Sequence, residues 1–216
     1  MTETLLIRQH IEEGKISTAH YSPCETYRYA LTRVWDETAP KLLFIMLNPS
    51  TATELKNDPT IERCERRARA LGYGGFRACN LFAYRATDPK DLKRAKEPIG
   101  PDNLAILTKS ARLADTILCA WGTHGAYLGM GPAVSRLLAS EGLVLHHLGL
   151  SRDNHPKHPL YVSYQTAFEV WPTEHASKAT RPFNTKLVSS RSISSPLKGA
   201  PPQSVSTANA PMKTRS

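Results

Sequence analysis

Residues 42–47 (LLFIML) form an unbroken apolar run, bounded by Lys41 on one side and by the turn residues Asn48 and Pro49 on the other. A run of this length without polar alternation reads as a strand buried on both faces, the condition of a central parallel strand in an α/β sheet. Three further runs have the same character: 76–82 (FRACNLF), 116–121 (TILCAW) and 143–148 (LVLHHL). Between them the apolar period lengthens to that of a helix. Asp58 followed by Pro59 is an N-cap with proline at the first helical position, and the helix expected over 59–71 gathers Ile61, Cys64, Ala68 and Leu71 on one face before Gly72 ends it. Residues 101–114 repeat the proline-led pattern with Leu104, Leu107 and Ala111 in register. A third helix opens at Pro132, carries Val134, Leu137 and Leu138, and closes at Gly142. Residues 88–98 read as a charged loop or short helix.

Residues 27–35 (YRYALTRVW) alternate and are rich in β-formers, so they predict a strand. The turn over 36–40 places it antiparallel beside the 42–47 strand, at the sheet edge. Residues 1–26 are an N-terminal extension with no clear element beyond a short strand over 4–8. The expected fold class is α/β: a three-layer α/β/α sandwich with a central, mostly parallel sheet of about four strands plus an antiparallel edge strand, in one domain over 27–172. Parallel strands joined by helices bring their carboxyl ends to one edge, where open α/β sheets bind ligands. Asn48, Asn80, His124, His155 and His158 all fall just past strand ends.

Composition narrows the class. A chain of 216 residues with 40% hydrophobic and 22% charged residues is globular and long enough to bury a core. No segment approaches the roughly 18 consecutive apolar residues of a membrane span, and the first residues lack a signal-peptide pattern, so a cytoplasmic protein with no membrane partner is expected. The net charge of +9 is unevenly spread. Residues 173–216 hold seven Lys and Arg against one Glu, in a Ser-, Pro- and Thr-rich context without apolar periodicity, and are expected to be a disordered basic tail. The body therefore carries only a small excess of positive charge, and a basic pI alone does not imply nucleic acid. Cys24, Cys64, Cys79 and Cys119 are scattered, with no C-x-x-C spacing, which argues against a zinc or iron–sulfur site.

Uncharged donors and acceptors dominate the strand-end loops; the acid pair of a typical hydrolase is missing. Each candidate has a structural reading beside the functional one. Asn80 serves equally as a buried hydrogen-bonding group. Asp58 reads as an N-cap in preference to a general base. Trp121 reads as core or pocket wall. The arginines of the 59–71 helix read as a solvated face in preference to a phosphate surface. His146, His147, His155 and His158 lie close in sequence, but neighbours on a strand face opposite sides, which disfavours one shared metal ion. No metal and no cofactor is expected.

The motifs MLNPSTA, NDPTIERC, GYGG, NLFAYRATDP, AWGTHG and HPKHPLY, in this order, resemble the bacterial and phage family catalogued as domain of unknown function 1643, over about residues 27–161. A more distant resemblance is to the uracil-DNA glycosylases. There a water-positioning motif follows the first strand, a base-reading Asn ends the next, a Leu-Trp-Gly motif ends a later one, and a His-Pro motif contacts the departing base. Leu47-Asn48-Pro49, Asn80, Ala120-Trp121-Gly122-Thr123-His124 and His158-Pro159-Leu160 resemble these in turn. The resemblance implies Asn48 and His158 as catalytic residues. It implies Pro49, Ser50, Thr51, Asn80, Phe82, Tyr84, Trp121, His124, His155 and Leu160 as the substrate-binding set, with Phe82 or Tyr84 stacking on an extruded base and Leu160 filling the gap in the duplex. The chain departs from the pattern in lacking an aspartate beside Asn48 and in reading His-Pro-Leu-Tyr where His-Pro-Ser is usual. The implied partner is nucleic acid or a nucleotide. Three classes of function follow: hydrolysis of an N-glycosidic bond, a noncatalytic nucleic-acid or nucleotide binding module, and a metal-assisted hydrolase at the histidines.

Overall fold

Leu42, Leu43, Phe44 and Ile45 are completely enclosed and Met46 nearly so, because their strand lies between two hydrophobic cores. The computed structural model describes residues 4–172 of the chain. The elements are β1 (Leu6–Glu12), β2 (Lys15–Tyr21), β3 (Arg28–Val34), β4 (Lys41–Met46), α1 (Pro59–Ala70), β5 (Gly75–Asn80), α2 (Pro89–Arg94), α3 (Asn103–Leu113), β6 (Thr116–Cys119), α4 (Met130–Ser140), β7 (Leu145–His147) and β8 (Glu169–Val170). Two 3-10 turns, Thr123–Gly129 and Pro159–Tyr161, follow β6 and β7 respectively. Residues 173–216, the expected basic tail, lie outside the described residues.

The two-residue period of β4 divides its side chains between the faces of the sheet. Leu42, Phe44 and Met46 pack with Ile61, Cys64 and Ala68 of α1. Leu43 and Ile45 pack with Leu107 and Ala111 of α3 and with Val134 and Leu138 of α4. The helix signals act as read: Asp58 Oδ1 accepts from the Ile61 amide at 2.9 Å, with Pro59 in the first turn. No helix among the described residues is long and apolar enough to cross a membrane.

The chain is a mixed α/β protein, and its sheet corrects the expected one. The four inner strands are parallel, in the order β5-β4-β6-β7. Among the described residues, however, the sheet has eight strands in the order β1-β2-β3-β5-β4-β6-β7-β8, and its other pairings there are antiparallel, so it is not mostly parallel. Nor is β3 an edge strand beside β4. It pairs with β5, and the β1–β2 hairpin continues the sheet beyond it.

The GYGG motif supplies the physical reason. The start of β5 enters between β3 and β4: Trp35 and Asp36 donate their amides to the Gly74 carbonyl at 2.9 Å, and the Gly74 amide donates to Pro40 at 2.9 Å. A Cβ on Gly74 would lie 2.1 Å from the Asp36 carbonyl oxygen, and one on Gly75 would lie 2.6 Å from that of Arg33. Only glycine allows backbones this close. The turn over 36–40 therefore spans an inserted strand.

Gly74→Ala is expected to destabilise the fold by about 3 kcal/mol, since the atom that must give way is backbone. Urea unfolding of the variant against the parent chain measures this; an unchanged midpoint would contradict the insertion as described.

Candidate functional site

From β4 the chain leaves through α1 to reach β5 on one side, and later returns through α3 to reach β6 on the other. The β4/β6 boundary is therefore a switch point, where the connections diverge and leave a crevice beyond the strand ends. A cleft of about 530 Å³ occupies it. Leu47, Asn48 and Ser50 line it after β4; Trp121, Thr123 and His124 after β6; and Ser151, His155, Lys157 and His158 after β7. Ala86, Thr87 and Pro89 fold over from beyond β5, Thr60 comes from the first turn of α1, and Tyr161 stands at the mouth, 84% exposed. No Asp, Glu or Cys is among the lining residues.

Asn48 ties two of these segments together. Its amide nitrogen donates to the Ala86 carbonyl at 2.7 Å and to the Pro49 carbonyl at 3.1 Å, while the Ala86 amide donates to Pro49 at 3.0 Å. Both partners of the side-chain nitrogen are carbonyl oxygens, so the amide orientation is determined. What Asn48 has left to offer a ligand is its acceptor, Oδ1. His158 has the opposite character. Its Nδ1 accepts from the Leu160 amide at 3.3 Å, so the proton of the neutral ring sits on Nε2. Burial pushes its pKa below the usual imidazole range, against the opposing pull of the Asp58 carboxylate, so the ring is neutral near pH 7. An acceptor and a neutral donor thus share one cleft.

The loop between β7 and His158 is held by backbone bonds alone at several points. The Ser151 amide donates to His155 at 2.8 Å, Lys157 to Gly149 at 3.0 Å, and Gly122 to Pro156 at 2.8 Å. The last of these joins the β6 loop to the β7 loop. Trp121 is 2% exposed and its indole lies against the turn that follows; a Cβ on Gly125 would fall 2.0 Å from the ring, which accounts for the final glycine of AWGTHG.

Beyond His158 the support comes from α1. Arg63 donates to the carbonyls of Pro159 at 3.1 Å and Val162 at 2.7 Å. Arg67, 1% exposed, donates to Ser163 at 2.7 Å, Thr166 at 3.1 Å, Val162 at 3.3 Å and Tyr164 at 3.4 Å. The expectation of a solvated arginine face fails for these two. The i, i+4 spacing that puts them on one face was visible in the sequence, but what they face was not. On the other side, Arg33 of β3 donates to the Thr53 carbonyl at 2.6 Å and to Asn57 Oδ1 at 3.1 Å, and Arg28 donates to Ala52. These bonds fasten the chain between Asn48 and α1.

Of the residues singled out from sequence, Asn48, Ser50, Trp121, His124, His155 and His158 meet in the cleft. Ser50 also borders a second groove, and Thr51 and Tyr84 line that groove instead. Pro49 is buried and Leu160 half-buried, neither lining the cleft. Asn80 and Phe82 do not reach it: Asn80 is 2% exposed at the end of β5, one strand away from the switch point, and Phe82 is enclosed with its ring 5.5 Å from that of Tyr127. Sequence reading missed Lys157, Ser151, Thr60, Thr87 and Tyr161. Lys157 and Tyr161 stand inside the HPKHPLY motif, a signal available but unused. His146 and His147 point to different surroundings, the first to the Ile117 carbonyl and the second to the Gly149 amide. Among the described residues no group of three His, Cys, Asp or Glu side chains is arranged to hold a metal ion.

The family model described as Protein of unknown function (DUF1643) matches residues 28–160. The chain belongs to that family. Neither a curated protein nor a solved structure matches it. The DUF1643 span runs from the start of β3 into the turn after His158, so it contains every cleft residue except Tyr161 and omits the β1–β2 hairpin.

Arg67→Ala is expected to lower stability by about 2–4 kcal/mol, because the carbonyls of 162–164 and 166 lose a shared charged donor and the buried side chain leaves a gap, whereas Arg66→Ala, at an exposed i, i+4 pair, changes it by less than about 0.5 kcal/mol. Hydrogen exchange of the 159–166 amides should quicken in the first variant alone. A second expectation concerns pH. Burial lowers the pKa of His158 and His147, and burial with nearby Arg77 and Lys109 brings His20 down to about 4. The unfolded chain binds these protons near pH 6.5 and the folded chain only at lower pH, so stability falls as pH drops below about 6.5. Urea midpoints should be level from pH 8 to 7 and decline from 6.5 to 5, with a shallower decline in His20→Gln.

Proposed function

We propose that this chain hydrolyses an N-glycosidic bond, releasing a base from nucleic acid or a nucleotide, as the order of its motifs resembles that of the uracil-DNA glycosylases. The observation that carries the reading is the meeting of Asn48 Oδ1 and a neutral His158 in one carboxylate-free cleft at the switch point.

The chemistry suits such a site. The bond to the base breaks with its electron pair leaving on the base, and the sugar becomes oxocarbenium-like. Water adds to the sugar carbon, and the proton it sheds ends on the base nitrogen. Two tasks fall to the protein: to hold the water, and to stabilise negative charge on the departing base. Asn48 Oδ1 accepts a hydrogen bond from the water and orients it. His158 Nε2–H donates a hydrogen bond to the base oxygen as charge develops and keeps its proton, with Lys157 adding positive charge at the same wall. Tyr161, exposed at the mouth, supplies aromatic surface.

A second reading, a noncatalytic binding module, draws on the absence of a carboxylate from the lining residues. Incubation of the full chain with oligonucleotides carrying uracil, mismatched thymine or modified bases, followed by scoring of alkali-labile abasic sites, separates the two. Product is expected, with a loss of about 10²–10³-fold in His158→Ala, the scale of losing one charge-stabilising donor. Asn48→Ala should lose activity similarly at retained fold. Binding without product on any substrate would favour the module.

A further inference from the structure

The cleft does not end at Ser50. A second groove, of about 660 Å³, shares Ser50, Ala86 and Thr87 with it and runs on past Thr51, Tyr84 and Arg85 to Asp91, Arg94 and Ala95 of α2 and its end. Both volumes lie within the roughly 300–1,000 Å³ of ligand pockets. The character changes along the way. The cleft offers uncharged groups and one lysine, Lys157, whereas the groove offers the hydroxyls of Ser50, Thr51 and Thr87, a tyrosine ring, two guanidinium groups and the Asp91 carboxylate.

Those guanidinium groups differ in how they are set. Arg85 is fixed: its Nη1 donates to the Glu25 carbonyl at 3.2 Å, its cation lies 5.4 Å from the Tyr21 ring centroid, and its buried Nε has no partner among the described residues. Arg94 is 77% exposed and pairs loosely with Asp91, at 3.5 Å. Lys90 and Lys93 stand exposed on the same helix. A positive groove with an aromatic wall is the arrangement by which proteins follow a single strand, the cations tracking phosphates and the ring stacking on a base. A mononucleotide in the cleft would leave it unused.

A duplex is a poorer fit. The arginines of α1 that a flat duplex surface would need are already engaged: Arg63 and Arg67 with carbonyls, Arg66 with Glu62, Arg69 with Glu65.

We propose that this groove binds the nucleotides flanking the target base in a single-stranded nucleic acid, with Arg85 and Arg94 on the phosphates and Tyr84 stacked on the neighbouring base. The proposal rests on the reading of the cleft as a base site, but its test does not depend on chemistry there. Fluorescence anisotropy of a labelled, lesion-free 15-nucleotide DNA is measured with the full chain over a series of salt concentrations, single-stranded and annealed to its complement. The parent chain should bind the single strand with a steep salt dependence. Arg94→Gln should reduce the slope of log affinity on log salt by about 0.7, the value for one phosphate contact on a single strand. Tyr84→Leu should weaken binding about tenfold, in the range of losing one stacked base.

The basic tail is present in every variant, so the difference between variants reports the groove. Equal affinity and slope in parent and both variants would overturn the proposal, as would absence of binding at low salt or a duplex bound more tightly with the same sensitivity to Arg94→Gln. Arg94 is exposed, so that variant carries the test if Tyr84→Leu does not fold. Groove-dependent binding without base release from any substrate would overturn the reading of the cleft and leave the groove standing.

Discussion

Carbonyl groups of irregular chain packed against the body need donors, and in this protein arginine supplies many of them. Much of the candidate site is built from segments outside the α-helices and strands, two of them running into 3-10 turns: 47–58, 82–88, 121–124 and 149–162. A packed loop without ladder partners leaves polar backbone unsatisfied, at a penalty of about 1–3 kcal/mol for each lost bond. Arg28 and Arg33 answer this for the chain between Asn48 and α1, and Arg63 and Arg67 answer it for the chain after His158. Arginine suits the task because its fork reaches several acceptors at once and stays charged when desolvated. Burial does lower the pKa of Arg28, to about 10, which still leaves it a cation near neutral pH.

The same device links the fold to the chemistry. Helix α1 is capped by Asp58, whose Oδ2 also receives the Ala52 amide at 3.2 Å, so the loop leaving Asn48 is pinned at its far end by the helix it leads into. One turn further on, the helix projects Arg63 toward the carbonyl of Pro159, the residue after His158. Asn48 and His158, 110 positions apart in the chain, are thus referred to one rigid element. Asn48 itself is both a fastener and a candidate ligand group. Using its nitrogen to hold Ala86 and Pro49 leaves only its oxygen facing outward, which gives a flexible amide a defined polarity.

The strands and helices with strong periodicity were legible from the residues, and the reasons are local. The β4 run is apolar on both faces because both faces meet a core, and Asp-Pro before Ile61 is a cap because the first turn of a helix needs an acceptor and can spare a donor. The β1–β2 hairpin was missed although its signal was present. Glu13 and Gly14 form a two-residue turn with positive φ at both positions, flanked by Glu12 and Lys15 in register, but the half-exposed strands on either side lack the apolar contrast that marks a strand.

Local pattern determined the four parallel strands, the helices between them, the family motifs and the gathering of polar residues at one sheet edge. Tertiary structure alone decided which of those residues meet. Asn80 and Asn48 end neighbouring parallel strands and look equivalent in sequence, yet only Asn48 borders the crevice, because the connections diverge between β4 and β6 and not between β4 and β5. Strand order likewise escaped the sequence. That β5 enters between β3 and β4 depends on two backbones approaching more closely than any side chain allows, and a glycine pair in a sequence does not say which distant backbone it will admit.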